Sequence, residues 1–271
     1  MNKYIKQHKG ITGMTIKLIA SIAMFLDHAA VTFLEPLMMN GYQLYPLYGA
    51  LRVIGRLAFP LYIFLMVEGF SHTRSRSRYA INMAIFAVIS EIPFDLMVTH
   101  GEYFIYSNAQ NVFLTLLIGF FTIWGIDLIA RFILPRGKMR NYIKARTDYN
   151  DREIMVNVMP ELRIALGVLL MIVVIVAGAF SAEVLRTDYG MWGVLAMVVM
   201  YFLRSLRYIE VAAGVITLSI AALVELAALP DAILIHFYNN KRGKGNKYFF
   251  YAFYPGHLLL LWAIAKLTGI I

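Results

Sequence analysis

Apolar runs of about twenty residues recur along nearly the whole chain, and nothing limits its folding more than this. They cover 15–34, 51–70, 79–98, 112–134, 164–182, 190–204, the longer stretch 208–238, and 248–268. A span of that length matches the ~30 Å hydrocarbon layer of a bilayer when it is helical. A soluble domain uses roughly 45–50% apolar residues. Here 60% of the 271 residues are hydrophobic, an excess that only lipid can cover. The fold expected is all-α, a polytopic membrane bundle of about nine helices (eight to ten).

The net charge of +9 does not point to nucleic acid. Most of the 25 lysines and arginines sit in short loops between apolar spans, the pattern that orients a membrane protein. The first residues, MNKYIKQHKG, are basic and lack a small-residue cleavage site, so the first span is expected to be retained. The stretch 208–238 is long for one crossing and short for two. Two crossings, with a turn near Leu229-Pro230-Asp231, gather nearly all basic loops on one side. That solution puts the N-terminus in the cytoplasm and the C-terminus outside, and the cell's inner membrane is the expected location. One domain is expected over 1–271, with a basic cytoplasmic loop at 135–163. The chain has no cysteine, so thiolate metal sites and disulfides are excluded, and no metal is expected.

An ionised group at mid-bilayer costs ~2.5–3.5 kcal/mol even on the lenient insertion scale, so charges inside spans mark functional positions. The first span carries Lys17, Asp27 and His28. Lys17 and His28 lie three helical turns plus ~20° apart, on one face, with about 16 Å between them along the axis. Asp27 and His28 are neighbours in sequence and point different ways, so Asp27 is expected to pair with a basic residue of another helix. The structural alternatives are a snorkelling Lys17 and a core His28 bonded to a backbone carbonyl.

The second span holds Arg52 and Arg56 one turn apart, Pro60, which can kink the helix, and Glu68 toward the inner end. Arg74, Arg76 and Arg78 follow. They are either a positive-inside anchor or a phosphate-binding patch. Glu91 and Asp95 flank Pro93 in the third span, where buried ion pairing with Arg56 is the structural alternative. Asn111 and Asp188 open the fourth and sixth spans as ordinary cap or turn residues. Pro255-Gly256-His257 puts a histidine beside loosened backbone, ~13 Å into the last span.

No metalloprotease, nucleophile-elbow or phosphate-loop motif is present. A histidine base with cations collecting an anionic cofactor fits acyl transfer from a coenzyme A thioester. A transporter with an Asp/Glu/His proton relay fits the charges almost as well. It lacks the inverted repeats such proteins usually carry.

Several ordered runs resemble the TraX family, that of the F-pilin acetylase. They are Lys17 to His28 ending in Asp-His, Arg52-x-x-x-Arg56-x-x-Phe59-Pro60, Glu68-Gly69-Phe70 and Ser90-Glu91-x-Pro93-Phe94-Asp95. Asn111-Val-Phe, Asn240-Lys-Arg242-Gly243 and Phe253-Tyr-Pro255-x-His257 complete the set. The resemblance spans most of the chain except 135–163. Lys17-x10-His28 is also similar to the basic-residue-x10-His pattern of the membrane acyltransferase-3 group, where arginine is commoner at the first position and Ser-Gly-Phe stands for Glu68-Gly69-Phe70.

The resemblance implies acetyl-CoA as donor and a hydroxyl or amine of an envelope glycan, peptide or pilin-like molecule as acceptor. His28, Asp27, Lys17 and Glu91 would be catalytic. Arg56, Arg52, Glu68, Asp95, Asn111 and His257 would hold the acceptor. Arg74, Arg76, Arg78, Lys241, Arg242 and Lys247 would hold the coenzyme.

Overall fold

The computed structural model describes residues 10–133 and 158–271. Helices occupy every predicted span, and among the described residues extended pairing is limited to two isolated bridges. The helices are α1 (Gly13–Met39), α2 (Tyr45–His72), α3 (Arg76–Val98), α4 (Val112–Ile133), α5 (Val158–Val184) and α6 (Gly190–Leu203). Then come α7 (Tyr208–Ser219), α8 (Pro230–His236) and α9 (Lys247–Leu267). Six of them, α1 to α5 and α9, are long and apolar enough to cross a membrane, while α6 and α7 are apolar but shorter. The chain is a multi-pass membrane protein. The predicted loop 135–163 lies mostly outside the described residues, and α5 takes up its last positions.

Lipid explains which side chains face outward. On α5, Leu166, Leu169, Ile172, Val173, Val176 and Phe180 are exposed, which an aqueous surface would penalise and hydrocarbon does not. The inward side of α5 is held by small residues instead. Gly178 lies so close to the Thr122 side chain of α4 that a Cβ there would overlap it. The core between α2, α4, α6 and α7 contains Phe70, Phe120, Met197 and Leu218, all essentially inaccessible.

Two interruptions shape the middle of the bundle. Pro60 cannot donate a hydrogen bond to the Arg56 carbonyl, and α2 breaks at Arg56–Leu57, one turn upstream, as the sequence predicts. In α1 one π-helical turn, Ala30–Leu34, follows directly after His28, and the Thr32 hydroxyl donates to the His28 carbonyl at 2.7 Å. Such turns insert one extra residue and re-aim the side chains around them.

The stretch 208–238 doubles back, but earlier than predicted. The reversal falls at 220–222, and Pro230 instead opens α8, where its missing N–H costs nothing. α7 has 12 residues, ~18 Å of helix, and the return arm is a 3-10 turn (Leu223–Ala228) followed by the short α8. Both arms start and finish at the same end of the bundle, where the Tyr208 ring meets His236 at 5.6 Å. There the returning chain pairs with the segment before α1. Ile11 donates its N–H to the Phe237 carbonyl at 3.0 Å, and Gly13 and Met14 donate theirs to the carbonyls of Lys241 and Arg242 at 2.9 Å each. This end also carries Arg74, Arg78, Arg204 and Arg207, and is called the basic end below.

Candidate functional site

Two cavities lie along the bundle. The one toward the end opposite the basic loops has a volume of about 490 Å³, and the basic-end cavity about 600 Å³. The Phe250 ring of α9 lines both, and the Lys17 ammonium sits 5.2 Å from its centroid on the basic-end side.

His28 lines the first cavity, half-buried on α1, together with Asp27, Arg52 and Arg56. Its neighbour Asp27 points elsewhere, as predicted. Arg52 Nη1 donates to Asp27 Oδ2 at 2.7 Å, and Arg56 Nη2 to Oδ1 at 3.2 Å. Gly55 makes this fit possible: a Cβ at that position would overlap the Asp27 side chain. Arg56 Nη1 donates to Glu225 Oε1 at 2.9 Å, at the tip of the 208–238 hairpin. Two guanidinium groups and two carboxylates thus form one chain across α1, α2 and the tip, with both carboxylates buried. Glu225 Oε2 is buried without a partner.

The same cavity receives Asp188, Tyr189 and Trp192 from the turn between α5 and α6. Hydrogen bonds between Gln110 and the backbone of Arg186 and Asp188, both 3.0 Å, hold that turn. The Tyr189 ring stacks on Phe59 with centroids 3.5 Å apart. Asp188 is open to the cavity yet ringed by protein, and that surrounding, despite Arg56 and Arg52 nearby, pushes its carboxyl up to about 6.

His257 stands directly behind His28 rather than in the cavity wall, and it is 4% exposed. Its Nε2 is 2.7 Å from His28 Nδ1, the two rings lie nearly parallel with centroids 5.0 Å apart, and its Nδ1 is 2.7 Å from the Phe253 carbonyl oxygen. The sequence singled out His257 beside loosened backbone but assigned it to acceptor binding. Its pairing with a residue 229 positions away was not legible there.

The other predicted site residues divide. Lys17, Glu68, Arg74, Arg78 and Arg242 line the basic-end cavity. Arg76 does not. Two residues from Arg78 on a helix, it points to the opposite side. There it pairs with Asp127 at 2.5 Å and lies over the Phe70 ring at 4.1 Å. Asp127 also holds Arg131 and accepts from the Tyr201 hydroxyl, so Arg76 belongs to a lock between α3, α4 and α6. Lys241 gives its carbonyl to Gly13 but does not line the cavity, and the Lys247 side chain lies outside those described.

Glu91, Asp95 and Asn111 lie beside the His28 cavity, not in its lining. The Asn111 amide donates to Glu91 and to the Ala87 carbonyl, and Asp95 Oδ2 accepts from the Tyr106 N–H at 2.8 Å. These contacts fasten the loop between α3 and α4, so Glu91 and His28 are not brought together. The sequence missed Glu225, although a carboxylate inside an apolar stretch is itself a signal. It passed over Asp188 because an acid before a helix is usually a cap.

The chain has relatives. The profile of the family described as TraX protein matches residues 12–133 and 144–265. A Dichelobacter nodosus protein described as "Probable fimbrial assembly protein FimC, serogroup H1" is 30% identical over 265 residues. That alignment covers 91% of this chain and 92% of the relative. No solved structure matches.

Proposed function

The chain belongs to the TraX family, and from that premise we propose that it is an integral membrane acyltransferase. It moves an acetyl group from acetyl-CoA to a hydroxyl or amine of an envelope acceptor, such as a glycan, a peptide or a pilin-like subunit. The basic end faces the cytoplasm by the positive-inside rule, and the membrane is the bacterial inner membrane. The relative's description as a fimbrial assembly protein supports an acceptor in the cell envelope.

One observation carries this proposal: the Phe250 ring lines both the cavity of His28 and a cavity lined by Lys17, Arg74, Arg78 and Arg242. Those cations suit the phosphates of a coenzyme, through charge-assisted hydrogen bonds. The thioester arm then reaches past Phe250 toward His28. The acceptor enters the other cavity, against Arg52, Arg56 and Asp188. As its oxygen or nitrogen attacks the thioester carbonyl, His28 takes the proton from the attacking atom. The tetrahedral adduct collapses, the carbon–sulfur bond breaks, and the thiolate recovers the proton from His28. Arg56 and Asp27, held in their ion-pair chain, fix the wall facing the acceptor.

Purified protein in nanodiscs is expected to bind acetyl-CoA and release free coenzyme A when acceptor is present. His28→Ala should lower that release by about 10²–10⁴-fold, the range of general-base contributions. Full turnover in this variant removes the assigned base. The two-cavity arrangement also supports a rival, a proton-coupled exporter, which predicts pH-driven flux in vesicles and no acetyl-CoA binding.

A further inference from the structure

The His28–His257 pair has a direction that its geometry fixes. A carbonyl oxygen only accepts, so at 2.7 Å from the Phe253 oxygen His257 Nδ1 carries the hydrogen. Neutral His257 then presents a bare Nε2. His28 Nδ1, 2.7 Å from that nitrogen, is therefore the donor. His28 is left with its hydrogen on Nδ1 and its lone pair on Nε2, the ring nitrogen not engaged by His257, on a side chain that lines the cavity.

We propose that His257 is a positioning residue that locks His28 into the tautomer whose basic nitrogen faces the acceptor. This rests on the assignment of His28 as base. In serine hydrolases a carboxylate does the same for its histidine, and spoiling that tautomer costs ~10⁴ in rate. A second imidazole does the work here without placing another charge among apolar side chains, where an ionised group is expensive. When His28 gains the acceptor's proton, its Nδ1–H still points at His257 Nε2. That proton can move across the 2.7 Å bond, which leaves His28 neutral and His257 doubly protonated, with its Nδ1–H still on Phe253. The positive charge is thereby shared by two hydrogen-bonded rings that lie nearly parallel. The local backbone supports the arrangement: Pro255 interrupts the hydrogen-bond ladder of α9, and the His257 ring stacks on Phe253 at 4.7 Å, which sets its plane.

The test uses the full chain in nanodiscs with ¹⁵N-labelled histidine, and compares His257→Leu with His257→Gln. The glutamine carbonyl can accept from His28 Nδ1–H, whereas leucine cannot. In wild type the His28 signal should report a protonated Nδ1 and a bare Nε2. It should keep that pattern in His257→Gln and lose it in His257→Leu. At saturating acetyl-CoA, His257→Leu should lose turnover by about 10²–10³-fold with KM for the donor within about twofold, and His257→Gln should recover to within about tenfold. A wild-type His28 protonated on Nε2 overturns the proposal, and so does equal turnover loss in both variants with the tautomer unchanged. The tautomer measurement stands even if His28→Ala remains active, so failure of the base assignment and failure of the positioning role are distinguishable.

Discussion

The two cavities use their cations in opposite ways. Around His28, Arg52 and Arg56 are both spent on Asp27 and Glu225, in a chain that crosses three elements. At the basic end, Arg74, Arg78 and Arg242 form no ion pair with another described residue, and all three are exposed. Paired charge of this kind is architecture, because removing one partner strands the other. Unpaired charge at a cavity rim has no such structural obligation and is available to an anion. The difference separates a wall from a receptor in residues of the same type.

Substitutions can break that contrast or sharpen it. The largest effect is expected for Arg56→Ala, which strands Asp27 and Glu225 together. A loss of about 3–5 kcal/mol in unfolding free energy, read by denaturant or thermal unfolding in detergent, is the expected outcome. Wild-type stability in that variant would mean the ion-pair chain is not structural.

The mirror-image result is expected from Arg74→Ala and Arg78→Ala. Stability should change by no more than about 0.5 kcal/mol. Acetyl-CoA binding by calorimetry should weaken roughly ten- to hundredfold per residue, as the loss of a charge-assisted contact implies. Arg76→Ala is the internal control, since its partner is Asp127: it should cost stability and leave the affinity nearly unchanged.

The smallest effect concerns Asp188. Its carboxyl is raised to about 6, so it is neutral below that pH and charged above it, beside Trp192 in the same cavity. Intrinsic fluorescence should show a step centred near pH 6, absent in Asp188→Asn. A step that survives the substitution assigns the titration to another group.

The spans were legible because run length and composition are enough to identify a helix that must satisfy its own backbone in lipid. Asp27, His28, Arg52 and Arg56 were legible for the complementary reason, since charges inside such runs are too costly to be incidental. Helical geometry pointed Asp27 toward a basic residue of another helix, but it left open which acid would meet Arg56 and did not single out Arg52. Glu91 and Asp95 looked equivalent to Asp27, yet they serve the α3–α4 loop. Only the path of that loop decides between the two uses, and loop paths leave little trace in hydropathy. The hairpin tip was hidden likewise. An apolar stretch of intermediate length does not say where it turns, so Glu225 had no predicted neighbour. His257 carried its signal in Pro255-Gly256, but the distance to His28 is a property of the packing between α1 and α9.

Phe250 has an electrical consequence. Were the cavities on both sides of this ring filled with water, much of the membrane voltage would fall across the region around it. Moving one elementary charge through that drop involves ~2.3 kcal/mol per 100 mV. A neutral group would cross that drop without electrical work, while a charged one would not. A septum of this kind would let neutral groups change compartments while ions do not follow.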